Sequence, residues 1–469
     1  MNRIIFYLTI VIALLTTTLN AQETNQTLSF EEFLGFVKQH HPLTKQANLV
    51  LKSGEANLLR ARGGFDPTIE VDYDRKKFKN TEYFDQLNTT FKVPTWYGVE
   101  FKANFEENTG QFLDPSLTVP EGGLYSAGVS FSLAQGLLIN ERMASLKKAK
   151  FFNQQSQADR DLLINNLLFE ASKAYFEWLE AFNTQKVYTN FLTNATSRLN
   201  AVKRSVEEGD KATIDITEAS ITVQNRALEL EAASLTARKA KLKVSNYLWV
   251  NDIPLLLEDE VLPIMPELAL VENILTWNQN EDTEALLNDH PKMISMNAKI
   301  EGLEVDRKLK LNKLLPNVDL QYNFLSQEYD QLDSFNTENY KAFLNIRFPL
   351  FLRKERGEVQ LANYKLQDAQ FERNATRLTI VNKIEAIKTE ISSLRIQNTM
   401  INNIVIDYQT LVKAEERKFF LGEGSLFLII SREQKLIDAQ LKEIALTTKQ
   451  LQAAADLFNT LGTSGLEVN

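Results

Sequence analysis

The sequence contains no cysteine. That absence excludes disulfides, a lipidated N-terminal cysteine, thiolate zinc and thiol catalysis in one step. Histidine is nearly as scarce: His40, His41 and His290 are the whole supply, with no H-x-x-x-H spacing for zinc. There is no glycine-rich phosphate loop, no G-x-S-x-G elbow and no H-E-x-x-H. Carboxylate pairs such as Glu31–Glu32 and Glu415–Glu416 fall in helical patterns and read as solvated faces. These gaps leave no catalytic residue, cofactor site or metal site to assign, so an enzyme is not expected. Basic excess is missing too: 52 Lys and Arg stand against 61 Asp and Glu. Nucleic acid, which needs a basic face, is therefore not an expected partner. The short runs KKAK at 147–150 and RKAK at 238–241 lie on helical patterns and read as solvated faces.

Long apolar runs are also absent beyond the N-terminus. A short basic start at Arg3, an apolar stretch from Ile4 to Leu15 and a small residue at Ala21 form a secretory signal over 1–21. It is too short for a spanning helix. An exported chain starting near Gln22, without a helical membrane span, is the expectation.

Glycine and proline are missing from two very long stretches, Leu137 to Glu208 and Glu358 to Leu421. Each ends on a glycine five residues after an arginine, Arg204 and Gly209 in one, Arg417 and Gly422 in the other. Other blocks recur in the same order. His41, Pro42, Pro67 and Tyr73 return as His290, Pro291, Pro316 and Tyr322, and YSAGVSFSLAQGLL from Tyr125 returns as YKAFLNIRFPLFL from Tyr340. The chain reads as an internal duplication: a first repeat over 22–253, a proline-marked connector over 254–283, a second repeat over 284–462 and a tail over 463–469. Ser29 and Glu32 make a capping-box signature, and Pro42 and Pro291 suit first helical positions.

Both repeats contain strands that alternate with period two. Ile69, Val71 and Tyr73 oppose Glu70, Asp72 and Asp74; Val318, Leu320, Tyr322 and Phe324 oppose Asp319, Gln321 and Asn323. Alternation alone fits a half-buried sheet covered by a helix as well as it fits a barrel wall in lipid. The expected strands are 68–78 and 124–134, with extra candidates at 87–93 and 97–106, then 317–327 and 340–350. Four to six strands are too few to close a membrane barrel, which takes about eight. Other subunits would have to complete the wall.

The long stretches carry heptad seams. Ile164, Leu168, Ala171, Tyr175, Trp178 and Phe182 step by four and three, as do Ile380, Ile384, Ile387, Ile391 and Leu394, continuing through Asn398 to Ile401, Val405, Tyr408 and Val412. A helix of about 70 residues would reach roughly 100 Å.

Helix, His-Pro, strand hairpin, long helix, R-x-x-x-x-G turn and returning helix, all written twice, resemble the TolC family of outer-membrane efflux proteins. The resemblance implies a mainly α fold with a β-barrel part. Long coiled-coil helices would form an α-barrel through the periplasm, below a trimeric transmembrane β-barrel in the outer membrane of a Gram-negative cell. It implies a homotrimer in outer-membrane lipid, acting in efflux or type I secretion with an inner-membrane transporter and a periplasmic adaptor. By carry-over Arg204, Gly209, Thr213, Arg417, Gly422 and Ser425 are the adaptor-docking candidates. Asp215 and Glu218 are candidates for a constricting acidic ring, although their counterparts Leu428 and Ser431 are not acidic. A periplasmic coiled-coil adaptor or a secreted structural coiled coil is the competing reading. The adaptor would carry one hairpin rather than two, and the rod no lipid-facing strands.

Overall fold

The structure, a computed structural model, describes residues 26–275, 283–329 and 337–462. The signal expected over 1–21, the tail at 463–469, part of the connector and the middle of the loop after Ser326 lie outside the described residues. In chain order the elements are β1 (Thr27–Leu28), α1 (Phe30–His40), α2 (Pro42–Arg62), β2 (Thr68–Phe78), β3 (Thr81–Pro94), β4 (Val99–Thr109) and β5 (Leu124–Ala134). Then come α3 (Glu141–Glu207), α4 (Thr213–Ser245), β6 (Trp249–Val250), β7 (Ile253–Pro254), β8 (Leu262–Pro263) and α5 (Leu268–Ile274). The rest is α6 (Thr283–Asp289), α7 (Pro291–Asn312), β9 (Asn317–Ser326), β10 (Tyr340–Arg347), α8 (Arg353–Phe420) and α9 (Leu426–Leu461). The fold is mainly α, with one large sheet.

The helices start where the chain offers caps. Ser29 and Glu32 form the full capping box of α1, and the Ser29 N–H donates to the Glu32 carboxylate at 3.0 Å. That hydrogen bond holds the Glu32 carboxyl below its ordinary range, so Glu32 is a cap rather than a solvated charge. His41 and His290 are the N-caps of α2 and α7: each Nδ1 accepts a backbone N–H two residues on, at 3.1 and 3.0 Å. The His290 Nε2 lies 2.9 Å from the Thr460 carbonyl, which fixes the neutral ring with its proton on Nε2. Burial lowers the pKa of both rings, consistent with neutral caps.

α3 and α8 run for 67 and 68 residues, about 100 Å each. Their heptad positions are the buried ones, Ile164, Leu168, Ala171, Tyr175 and Trp178 in α3 and Ile384, Ile387, Ile391, Leu394, Ile401, Val405 and Val412 in α8. Asn398 interrupts the second seam and donates to Gln450 Oε1 at 2.6 Å. Near the sheet, helices pack in the order α2–α3–α7–α8; toward the glycine turns the order is α4–α3–α9–α8. Four helical columns thus stand side by side for the whole length.

Around the middle of α3 the packing thickens. Phe30, Phe33, Leu34 and Val37 of α1 meet Leu168, Tyr175, Phe176 and Leu179, with Val271 and Leu275 closing the cluster. Strand β1 pairs in parallel with β8, which brings the chain start to the connector. The buried Tyr175 hydroxyl pins both: it accepts from the Ile264 N–H at 3.1 Å and lies 2.8 Å from the carbonyls of Leu28 and Ile264. Burial pushes that hydroxyl well above the usual phenol value. Lys241 reaches the same region, donating to the carbonyls of Asp259 and Val261 at 3.0 Å, so the second basic run is not simply a solvated face.

Candidate functional site

The large sheet has six strands in the order β10–β9–β5–β4–β3–β2, every neighbouring pair antiparallel. The extra candidates near 87–106 are full strands of it, longer than expected, because β3 already begins at Thr81. β10 ends at Arg347, short of the expected 350.

Register carries one chemistry across all six strands. On one face Ile69 pairs with Phe91, Phe91 with Ala103, Ala103 with Ala127, Ala127 with Phe324 and Phe324 with Tyr340. Val93, Phe101, Val129, Tyr322, Leu320 and Leu344 share that face through the same ladder. The opposite face carries Thr68, Lys92, Lys102, Gly128, Asn323 and Lys341 in a single row. Polar contacts knit it: Lys92 pairs with Glu70, Thr90 donates to Asn104 at 2.7 Å, and Lys102 donates to Gln321 at 3.2 Å.

None of the described α-helices packs along either face. Apolar side chains therefore stand bare: Ile69 is 71% exposed, and Val71, Tyr73, Leu344 and Ile346 are similarly open. A covering helix, the alternative that alternation left open, does not exist among the described residues. Such an area of bare apolar surface marks an interaction site, with lipid or with another protein surface. No described helix is long and apolar enough to cross a membrane.

At the far end of the helices the two glycine turns have the same hydrogen-bond pattern. The Asp210 N–H donates to Ser205 O at 2.8 Å and the Gly209 N–H to Val206 O at 3.1 Å; Glu423 and Gly422 repeat this to Lys418 at 2.9 Å and Phe419 at 3.1 Å. Gly209 and Gly422 have φ of +84° and +81°, the left-handed conformation this helix ending requires. Arg204 and Arg417 are exposed in the last helical turns. Ser425 caps α9, accepting from Leu428 N–H at 3.3 Å, whereas Thr213 is the first residue of α4 and Ala212 occupies the cap. Asp215 and Glu218 lie half-buried on α4 just beyond the first turn, and neither carboxylate has an ion-pair partner among the described residues.

The tips are locked together by contacts the sequence did not announce. Val202, Ala219 and Leu426 form a shared core, and the Lys211 ammonium sits 3.7 Å from the Phe419 ring centroid. Arg198 of α3 reaches Glu433 of α9 through two bonds of 3.1 and 3.0 Å and Glu416 of α8 at 3.2 Å. Glu433 is 1% exposed, so this is a nearly dry junction between the two hairpins. Glu416 is therefore a partner in that junction, not only a solvated charge. Burial works against the Arg198 charge, but the Glu433 and Glu416 carboxylates outweigh it and raise the guanidinium pKa.

Residues 283–463 match the family model for outer membrane efflux proteins. The likeness in fold to solved structures extends over most of the chain. The Campylobacter jejuni CmeC outer membrane channel aligns over 94% of this chain and 87% of its own, with 13% identity and a TM-score of 0.65. The Vibrio cholerae outer membrane protein VceC aligns over 92% and 96%, with 13% identity and a TM-score of 0.64. The open state of the Neisseria gonorrhoeae MtrE outer membrane channel aligns over 93% and 89%, with 14% identity and a TM-score of 0.67. No curated protein sequence matches the chain.

Proposed function

We propose that this chain forms a trimeric outer-membrane channel continuous with a periplasmic conduit, serving efflux or type I secretion with an inner-membrane pump and a periplasmic adaptor. The observation that supports the reading best is the sheet: apolar on one face and polar on the other across all six strands, bare on both, and mounted at one end of long helices. The apolar face meets outer-membrane lipid, and the polar face lines the lumen. The four helical columns of each copy form the periplasmic conduit, and the cluster around Tyr175 a girdle outside it. Two repeats, over 22–253 and 284–462, with the connector between them, remain the reading of the domain organisation.

The glycine turns are the docking end. Arg204, Gly209 and Thr213 present one hairpin and Arg417, Gly422 and Ser425 the other to the adaptor. Asp215 and Glu218 narrow the lumen next to them, three copies of each forming an acidic ring. The reading assigns no catalytic residue.

Topology tests it. The loop 110–123 lies at the opposite end of the sheet from the helices. In this cysteine-free chain a Ser116→Cys variant should react with an impermeant maleimide on intact cells, and Asp210→Cys only after the outer membrane is permeabilised. The reverse pattern sinks the channel.

A further inference from the structure

Strands β2 and β10 each leave one edge without a neighbour. In a membrane, unpaired backbone N–H and C=O groups cost several kcal/mol each and open edges do not persist. What covers them is indicated by the flanks of the helical half. α2 leads into β2 and α8 follows β10, so the open strand edges continue into the open helical columns, α2 with α4 on one flank and α8 on the other.

Those helical flanks are complementary. Ile214, Ile221, Leu228, Leu235 and Leu242 recur every seventh residue along α4, and each is more than half exposed. A heptad stripe without a partner inside its own chain is half of a coiled-coil seam. On α8 the exposed apolar residues Leu411, Ile404, Met400 and Ile396 occupy the matching heights. Leu228 lies nineteen residues beyond Gly209, and Ile404 eighteen before Gly422.

The sheet itself sets the curvature. The polar row starts at Thr68, the first residue of β2 at the helical end, and meets β10 at Lys341, its second residue at the far end. β10 then runs on to Arg347 before it regains the helical end. That is a stagger of roughly one residue per strand, the value that accompanies a tilt of about 35–45° in closed barrels. Six such strands, about 4.8 Å apart, occupy roughly 37 Å of circumference. Four helical columns about 9–10 Å apart occupy nearly the same. The wall and the conduit therefore match in width when every one of the six strands is in the wall.

We infer that three copies of this chain close an eighteen-strand barrel through one continuous seam, β2 of one copy paired antiparallel with β10 of the next, extended below by the α4 stripe against the neighbour's α8. The inference rests on the trimeric channel reading above and adds the strand number and the seam. Matching apolar to apolar faces, Val71 meets either Leu344 or Ile346 of the neighbour, the two registers that keep both faces intact.

Cysteine pairs test the seam in the full-length protein in outer membranes. Val71→Cys combined with Leu344→Cys, or with Ile346→Cys, should convert most of the protein to covalent three-copy species under mild oxidation in one of the two combinations. Leu228→Cys with Ile404→Cys, joined by a short bis-maleimide, reports the helical part separately. Helical crosslinks without any strand crosslink would overturn the seam while leaving a trimer in place. Single copies in every arm, together with a single-copy mass in detergent, would remove both the seam and the trimer. The strand number has its own readout. A bimane fluorophore on Phe91→Cys should be quenched by brominated acyl chains in proteoliposomes, and one on Asn104→Cys should not. An unquenched Phe91 probe would place β3 outside the wall and overturn the count of eighteen.

Discussion

The two hairpin tips share a backbone turn and an exposed arginine, Arg204 or Arg417, and differ in how much apolar surface surrounds them. Both end a helix of nearly equal length with the same pair of hydrogen bonds onto a left-handed glycine. Around Gly209 the exposed side chains are mainly charged, Arg204, Glu207, Glu208 and Asp210, with Ile214 the one large apolar group beyond them. Around Gly422, Arg417, Lys418 and Glu423 are exposed beside four large apolar side chains, Phe420, Leu421, Phe427 and Leu428, with Phe420 90% exposed. A duplicated turn has kept its conformation, which the glycine permits, while its surface has diverged into a mainly charged end and one that adds large apolar side chains. Water-exposed phenylalanines at a helix end signal a protein surface that covers them. On the proposed function, an adaptor gripping this chain meets two sockets that differ in apolar surface.

The comparison breaks most visibly at the apolar tip. Replacing Phe420 and Phe427 together with aspartate should lower export at least tenfold with trimers intact on native gels. The readout is the compound sensitivity or secretion defect of a strain lacking the gene. Glu207→Lys with Glu208→Lys at the charged tip should weaken export less, and in a salt-dependent way. Equal losses from the two tips would erase the distinction between sockets.

Next in size is the bond between the tips. Arg198→Ala strands the Glu433 carboxylate in a nearly dry site, and losing one member of such a pair costs about 3–5 kcal/mol. Thermal melting followed by circular dichroism should show it, and Glu433→Gln should lose less. The glycines come third. Nothing lies within 4 Å of a Cβ placed at Gly209 or Gly422, so valine meets only the strain of positive φ. Each substitution should cost about 1–2 kcal/mol, equal at the two tips. A much larger loss at one would mean that its turn is packed in the assembly.

The finest contrast is acidic. Asp215 and Glu218 face Leu428 and Ser431 as their counterparts. The purified channel in planar bilayers should be cation-selective and blocked by divalent or trivalent cations from the tip side. Asp215→Ala with Glu218→Ala should reduce selectivity a few-fold and weaken the block. Unchanged behaviour would leave both acids as charges near a helix N-terminus.

What could be read beforehand was whatever repeats locally. Heptads, two-residue alternation and glycine spacing are periodic, so the long helices, four of the six strands and both turns were legible. β3 was only half legible. Alternation holds from Leu87 to Val93 but fails at Tyr83–Phe84, and its turn is Lys79–Asn80, with φ of +52° and +62° and no glycine to mark it. Contacts distant in sequence left no periodic trace. Tyr175 to Leu28, Arg198 to Glu433 and His290 to Thr460 join residues 147, 235 and 170 apart. Nor did the identity of His41 and His290 as caps stand out, because serine, threonine, aspartate and asparagine usually fill that place.

The hairpin formed by β3 and β4 enters and leaves the sheet at the end remote from the helices, between β2 and β5, with only its own turn on the helical side. Removing it would set β2 beside β5, still antiparallel, with neither helix changing direction. Strand number in such a chain is thus an even-numbered, separable quantity. On the proposed channel reading, girth can be edited two strands at a time in one short segment, while reach is written in the helices, and neither change forces a revision of the other.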